Sequence, residues 1–192
     1  MLWQKDVEPA NVVVRGVRVL DPGEGIDATL DVRIDAGVIA RLADGVDTNA
    51  HRVIDGAGLV LAPAFVDPHV HLRTPGREDE ETIASGTAAA AAGGYCAILA
   101  MPNTEPVVDT AATLGSLVET ALRDAVVPVG FLAAITRGQH GRELTEMGEL
   151  ADAGAVAFTD DGVPVSSAGL MRRALQYASI TGSVFGIARI AQ

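Results

Sequence analysis

His69 and His71 stand one residue apart at the end of an apolar run, and Arg73 follows two positions later, within Val66-Asp67-Pro68-His69-Val70-His71-Leu72-Arg73. Residues i and i+2 of a β-strand point to one face. The spacing therefore presents two imidazoles side by side, which is half of a metal site; the same pair would also serve as the polar end of a strand. Arg73 carries a planar fork suited to gripping a carboxylate bidentately, or to a surface ion pair.

Two further clusters have chemical potential. In Met101-Pro102-Asn103-Thr104, Asn103 offers an amide donor and acceptor to a polar ligand, or simply occupies a proline-containing turn. In Phe158-Thr159-Asp160-Asp161-Gly162 two adjacent carboxylates supply hard oxygen ligands able to bridge metals or complete a zinc site begun by histidines, or they form an Asp-Asp-Gly turn.

The elements that position these residues follow from periodicity. Residues 59–66 form a continuous apolar run, expected to be a strand buried on both faces as in a helix-covered parallel sheet. Its C-terminal mouth is where α/β barrels keep their chemistry. Further strands are expected over 95–100, 126–133, 155–158 and 184–190, with helices near 79–92, 110–125, 143–153 and 167–180. That alternation implies right-handed crossovers and a parallel sheet. Upstream, short alternating runs broken by Asp-Pro-Gly and Asp-Ala-Gly turns predict a small antiparallel sheet. The expected fold is α/β: a small β-sandwich-like domain over 1–61, then over 62–192 the first four to five strands of a (β/α)8 TIM-type barrel. A closed barrel takes ~250 residues, more than follow the first domain.

Composition narrows the partners. The chain has 192 residues, 48% hydrophobic, and a net charge of −11 from 14 basic and 25 acidic residues. That balance argues against nucleic acid or an anionic membrane, since both need a basic patch. One cysteine, Cys96, permits no internal disulfide and is read as a small core residue. His51 and His140 fall in polar, loop-like sequence and are read as surface residues. With no signal peptide or membrane span read in the sequence, the expected location is the cytoplasm.

Together, 65–76, Glu81-Thr82-Ile83-Ala84-Ser85-Gly86-Thr87, Met101-Pro102-Asn103-Thr104 and Phe158-Thr159-Asp160-Asp161-Gly162 resemble class I dihydroorotase of the amidohydrolase superfamily, from about residue 11 to about residue 177. The resemblance implies interconversion of N-carbamoyl-L-aspartate and dihydroorotate in pyrimidine synthesis, with two zinc ions in a barrel flanked by a small β-domain. It implies that His69 and His71 bind the first zinc, that Asp161 bridges to the second, and that Arg73 and Asn103, beside His71, hold the substrate carboxylate. Many amidohydrolases bridge their metals with a carboxylated lysine, but the only lysine here is Lys5, far from any expected strand end.

In that family the fifth and sixth strands each supply a histidine and the eighth an aspartate base. Here the fifth-strand position holds Arg189 or Ile190, and the later strands are absent. The expectation is weak zinc binding and negligible turnover by this chain alone. Alternatives are a noncatalytic subunit partnering aspartate carbamoyltransferase, with self-association through an open sheet edge, or another cyclic amidohydrolase of the hydantoinase or allantoinase kind.

Overall fold

The computed structural model describes residues 1–49 and 51–179, and the backbone at 180–181 and 184–185. The chain divides into two compact units: Asp6–Ala64, and Met1–Lys5 together with the chain from Phe65 onward.

The first unit is a sheet. β1 (Val12–Asp21), β2 (Ile26–Asp35) and β3 (Val38–Ala43) form an antiparallel meander. Its β2–β3 hairpin closes through Ala36 and Gly37, both at positive φ (48° and 78°), the combination a two-residue primed turn requires. β4 (Arg52–Asp55) and β5 (Val60–Leu61) then pair with β1 in parallel, a feature the hairpin pattern alone did not announce. Inward-facing Val17, Val19 and Val32 make its core.

The second unit is a parallel five-stranded sheet in the order β10-β9-β8-β7-β6, comprising β6 (Phe65–Val70), β7 (Tyr95–Ala100), β8 (Val129–Ala133), β9 (Ala157–Phe158) and β10 (Val184–Phe185). Helices α1 (Ile83–Ala92), α2 (Ala111–Asp124), α3 (Met147–Asp152) and α4 (Ala168–Thr181) alternate with them. Local chemistry sets the helix starts. Thr82 caps α1 in a reciprocal box with Ser85, and the Thr110 hydroxyl accepts the N–H of Thr113 at the start of α2. Ile98, Val129, Phe131 and Phe158 from the strands pack with Ile83, Leu114, Met147 and Leu150 from the helices in one core. This is the curled parallel half-barrel expected from the alternating pattern. Among the described residues, no helix is long and apolar enough to cross a membrane.

The run at 59–66 departs from expectation. It is not one buried strand: Val60–Leu61 joins the first sheet, the chain breaks at Ala62-Pro63-Ala64, and β6 starts at Phe65. β6 lies at the sheet's end, with Phe65 63% and Val66 56% exposed. Pro68 fits that location, because a residue without an N–H is tolerated on an edge strand. The register shifts between Asp67 and Val70, where the Asp67 carboxylate accepts the N–H of His69. Residues 1–5, grouped by pattern with the first domain, instead lie along β8 through an antiparallel bridge between Trp3 and Val129. Cys96 is exposed rather than in the core. Arg189 and Ile190 lie outside the described residues.

Candidate metal centre

The C-terminal ends of β6, β7, β8 and β9 and the loops that follow them bring the predicted residues together. β6 delivers His69, and His71 follows just past its last residue. The two rings sit edge to face with centroids 5.3 Å apart. One ring nitrogen from each and a carboxylate oxygen of Asp161, beyond β9, lie within 4.8 Å of one another.

The Asp-Asp pair divides its labour. Asp160 is an anchor: one oxygen accepts the N–H groups of Ile135 (2.8 Å) and Thr136 (3.0 Å), and the other accepts the Thr136 hydroxyl, tying the end of β9 to the loop after β8. Burial pushes its carboxyl above the ordinary range, and the donors from Thr136 and Ile135 offset part of that. Asp161 is the presented group. Its N–H donates to the Thr159 hydroxyl at 3.0 Å, and its backbone is left-handed at φ 50°, a conformation uncommon outside glycine that clusters at functional sites.

The loop carrying Arg73 is equally constrained. Arg73 has φ 58°. Gly76, at φ +106°, lies so close to the next loop that an added Cβ would stand 2.2 Å from the Glu105 carbonyl oxygen. The Glu105 N–H donates to Pro75 O at 2.9 Å. Gly86 gives Leu72 its berth, since a Cβ there would stand 2.4 Å from Leu72 Cδ2. These contacts give the glycines of the 65–76 and 81–87 motifs a packing reason.

Arg73 Nε lies 3.4 Å from Glu80 Oε2, and Glu80 also pairs with Arg77. Asn103, in the loop after β7, places Oδ1 2.8 Å from His71 Nδ1. Arg73, Asn103, Arg77 and His140 line a cavity of about 450 Å³ beside the cluster. Sequence reading gave no role to Arg77, His140 or Thr136: the first two line the cavity only once the loops are assembled, and Thr136 acts through Asp160, 24 residues away.

The donor set fits a metal ion. Asp161 Oδ1 is buried without a hydrogen-bond partner although His69 Nε2 lies 3.1 Å away, an arrangement that a shared cation would satisfy. Two imidazole nitrogens and one carboxylate oxygen are a ligand set of the catalytic-zinc type. The group could hold a metal ion.

A His-x-His pair at the end of the first barrel strand and a carboxylate at the end of the fourth, on a curled parallel sheet, define a β/α amidohydrolase fold. L-hydantoinase (dihydropyrimidinase) from Arthrobacter aurescens superposes with a TM-score of 0.76 at 24% identity, over 93% of this chain and 40% of that one. N-isopropylammelide isopropylaminohydrolase from Burkholderia multivorans gives 0.63 at 19% identity, over 93% of this chain and 52% of that one. The Dihydro-orotase-like family model matches residues 58–187, and the chain belongs to that family. Dihydroorotases from Citrifermentans bemidjiense and Geotalea daltonii are 47% and 49% identical to it over 173 residues, 90% of this chain. The chain spans 41% of the length of each of these relatives.

Proposed function

We propose that this chain carries part of a dihydroorotase active site, acting on dihydroorotate and N-carbamoyl-L-aspartate in the cytoplasm. The observation that carries the reading is the convergence of His69, His71 and Asp161 within 4.8 Å, next to a cavity lined by Arg73 and Asn103. Ring opening adds water across the cyclic amide: the C–N bond breaks, the carbonyl carbon gains a hydroxyl, and the nitrogen takes the proton. His69, His71 and Asp161 would hold zinc, which when bound supplies Lewis-acid polarisation and an acidified nucleophilic water. Asp161 would serve the reaction as well as the metal, its buried Oδ1 being free of any hydrogen-bond partner. Arg73 and Asn103, with His71 beside them, orient the substrate carboxylate through directed donors.

A hydantoinase reading has only fold-level likeness behind it. The sole lysine, Lys5, donates its backbone N–H to Ala125 O, just ahead of β8 and at the opposite end of the sheet from the centre. Aspartate carbamoyltransferase, or a second copy, is a candidate partner through the exposed face of β6.

The test is zinc titration and dihydroorotate hydrolysis on the purified chain, with His69→Ala as control. Zinc binding lost in the control, with negligible turnover, supports the reading. Zinc binding that His69→Ala leaves unchanged overturns it. Robust turnover abolished in the control would show that a second chain completes the site.

A further inference from the structure

We propose that Asn103 is a positioning residue for His71, fixing the tautomer that presents Nε2 to the metal centre while its amide nitrogen serves the adjoining cavity. The inference rests on the reading of His69, His71 and Asp161 as a metal centre, and assigns Asn103 a second task beyond holding a substrate carboxylate.

The argument begins with proton inventory. His71 Nδ1 and Asn103 Oδ1 lie 2.8 Å apart. An amide oxygen only accepts, so Nδ1 must carry the hydrogen. A neutral imidazole has one N–H, and Nε2 is then the nitrogen left with a lone pair. Metal-bound histidines are oriented in this manner by an acceptor on the other ring nitrogen, which also raises ligand basicity.

Asn103 is well placed to impose the choice. The Thr104 N–H donates to Pro102 O, the Val108 N–H donates to the same carbonyl, and Glu105 is tied to Pro75. Met101 and Pro102 are buried. The backbone around Asn103 is thus fixed, and its side chain meets His71 and lines the cavity with Arg73.

With its oxygen facing His71, Asn103 still has its NH2, a donor only. Together with the Arg73 guanidinium it makes that wall of the cavity a donor surface, suited to a carboxylate. A carboxylate accepting from the NH2 would polarise the amide and strengthen Oδ1 as an acceptor for His71. Metal and anion would then bind cooperatively, each raising the affinity of the other by the same factor.

The two tasks separate by substitution. Asn103→Asp keeps an acceptor for Nδ1 but replaces the donor with a like charge for a carboxylate; Asn103→Ala removes both. The experiment uses the full 192-residue chain, whose four histidines can be assigned by single substitution. It reads the His71 ring tautomer by long-range 1H–15N NMR, zinc affinity by calorimetry, and binding of N-carbamoyl-L-aspartate to the zinc-loaded protein.

The wild type should carry the Nδ1 proton. Asn103→Asp should keep that tautomer and zinc affinity but lose the anion. Asn103→Ala should lose the tautomer preference and about 10–100-fold in zinc affinity, with an unchanged circular dichroism spectrum. Wild-type His71 protonated on Nε2 overturns the proposal on the unmodified chain, whatever the variants do. Zinc binding that is lost in His69→Ala but unchanged in Asn103→Ala overturns the positioning role and leaves the metal centre standing. No zinc binding by the wild type overturns both.

Discussion

Asp161 Oδ1 stands 3.1 Å from His69 Nε2, buried, and makes no hydrogen bond to it. A carboxylate oxygen held in this way has given up water without gaining a donor, at a cost of about 1–3 kcal/mol. A cation shared with the imidazole would recover that cost. Asp161→Asn keeps the volume and removes the charge, so we expect the fold to be retained and zinc affinity to fall by more than the ~10–100-fold seen when only an outer partner is lost. Calorimetric titration alongside thermal melting checks this; equal affinities would contradict the metal role of Asp161.

Asp160 should behave in the opposite way, as a stability residue. Asp160→Ala leaves three donors, from Ile135 and Thr136, without an acceptor, at about 1–3 kcal/mol for each buried group. Burial raises its folded pKa, so its proton is held more tightly in the folded than in the unfolded chain. That contribution is fully present below the unfolded value of about 3.9 and is lost as pH rises through the folded value. On acidification from neutrality, the wild type should therefore gain stability relative to Asp160→Asn, measured as the difference in Tm. A pH-independent difference would contradict the assignment.

His51 supplies a second pH dependence, in the first unit. Expected at the surface, its side chain is only 6% exposed. Nδ1 faces the Asn49 carbonyl oxygen and Nε2 faces an Asp35 oxygen, each at 2.5 Å. Both partners are acceptors when Asp35 is ionised, so the pair favours the doubly protonated imidazolium over the neutral ring.

The Asn49 carbonyl and then the Asp35 carboxylate raise its pKa, while burial and the nearby Arg33 guanidinium oppose them. The stabilisation is complete below the unfolded value of about 6.5 and disappears as pH rises through the folded one. NMR titration should place the His51 midpoint above 6.5, and Asp35→Asn should lower it. A midpoint at or below the unfolded value would rule the clasp out.

Gly76→Ala tests the joint between the loops that follow β6 and β7. At φ +106°, with the Glu105 carbonyl oxygen 2.2 Å from the added carbon, the loops must part. We expect a loss of at least ~2 kcal/mol from strain and overpacking. Chemical denaturation would measure it, and a change below ~0.5 kcal/mol, the range of ordinary surface substitutions, would show that the loops yield freely.

The sequence by itself determined what depends on neighbours a few residues apart. It placed two imidazoles on one strand end, put Thr82 three residues before Ser85 at a helix start, set Leu114, Leu117 and Ala121 on one helical stripe, and alternated strand and helix so that the sheet had to be parallel. Tertiary structure decided what depends on register and distant partners. It supplied the reason why Asp161, which the family resemblance had singled out, and not Asp160 is the presented carboxylate: Asp160 is spent on the donors just past the end of β8. It put Asn103 against His71, 32 residues away, where a local reading finds a ligand-facing amide or a turn but no histidine partner. It split the apolar run at 59–66 between two sheets and exposed β6, because apolar content says that a strand wants cover but not which sheet supplies it. It drew His51 onto Asp35, for a single titratable side chain has no periodicity to read and its charge state is set by the acceptors that folding brings to it.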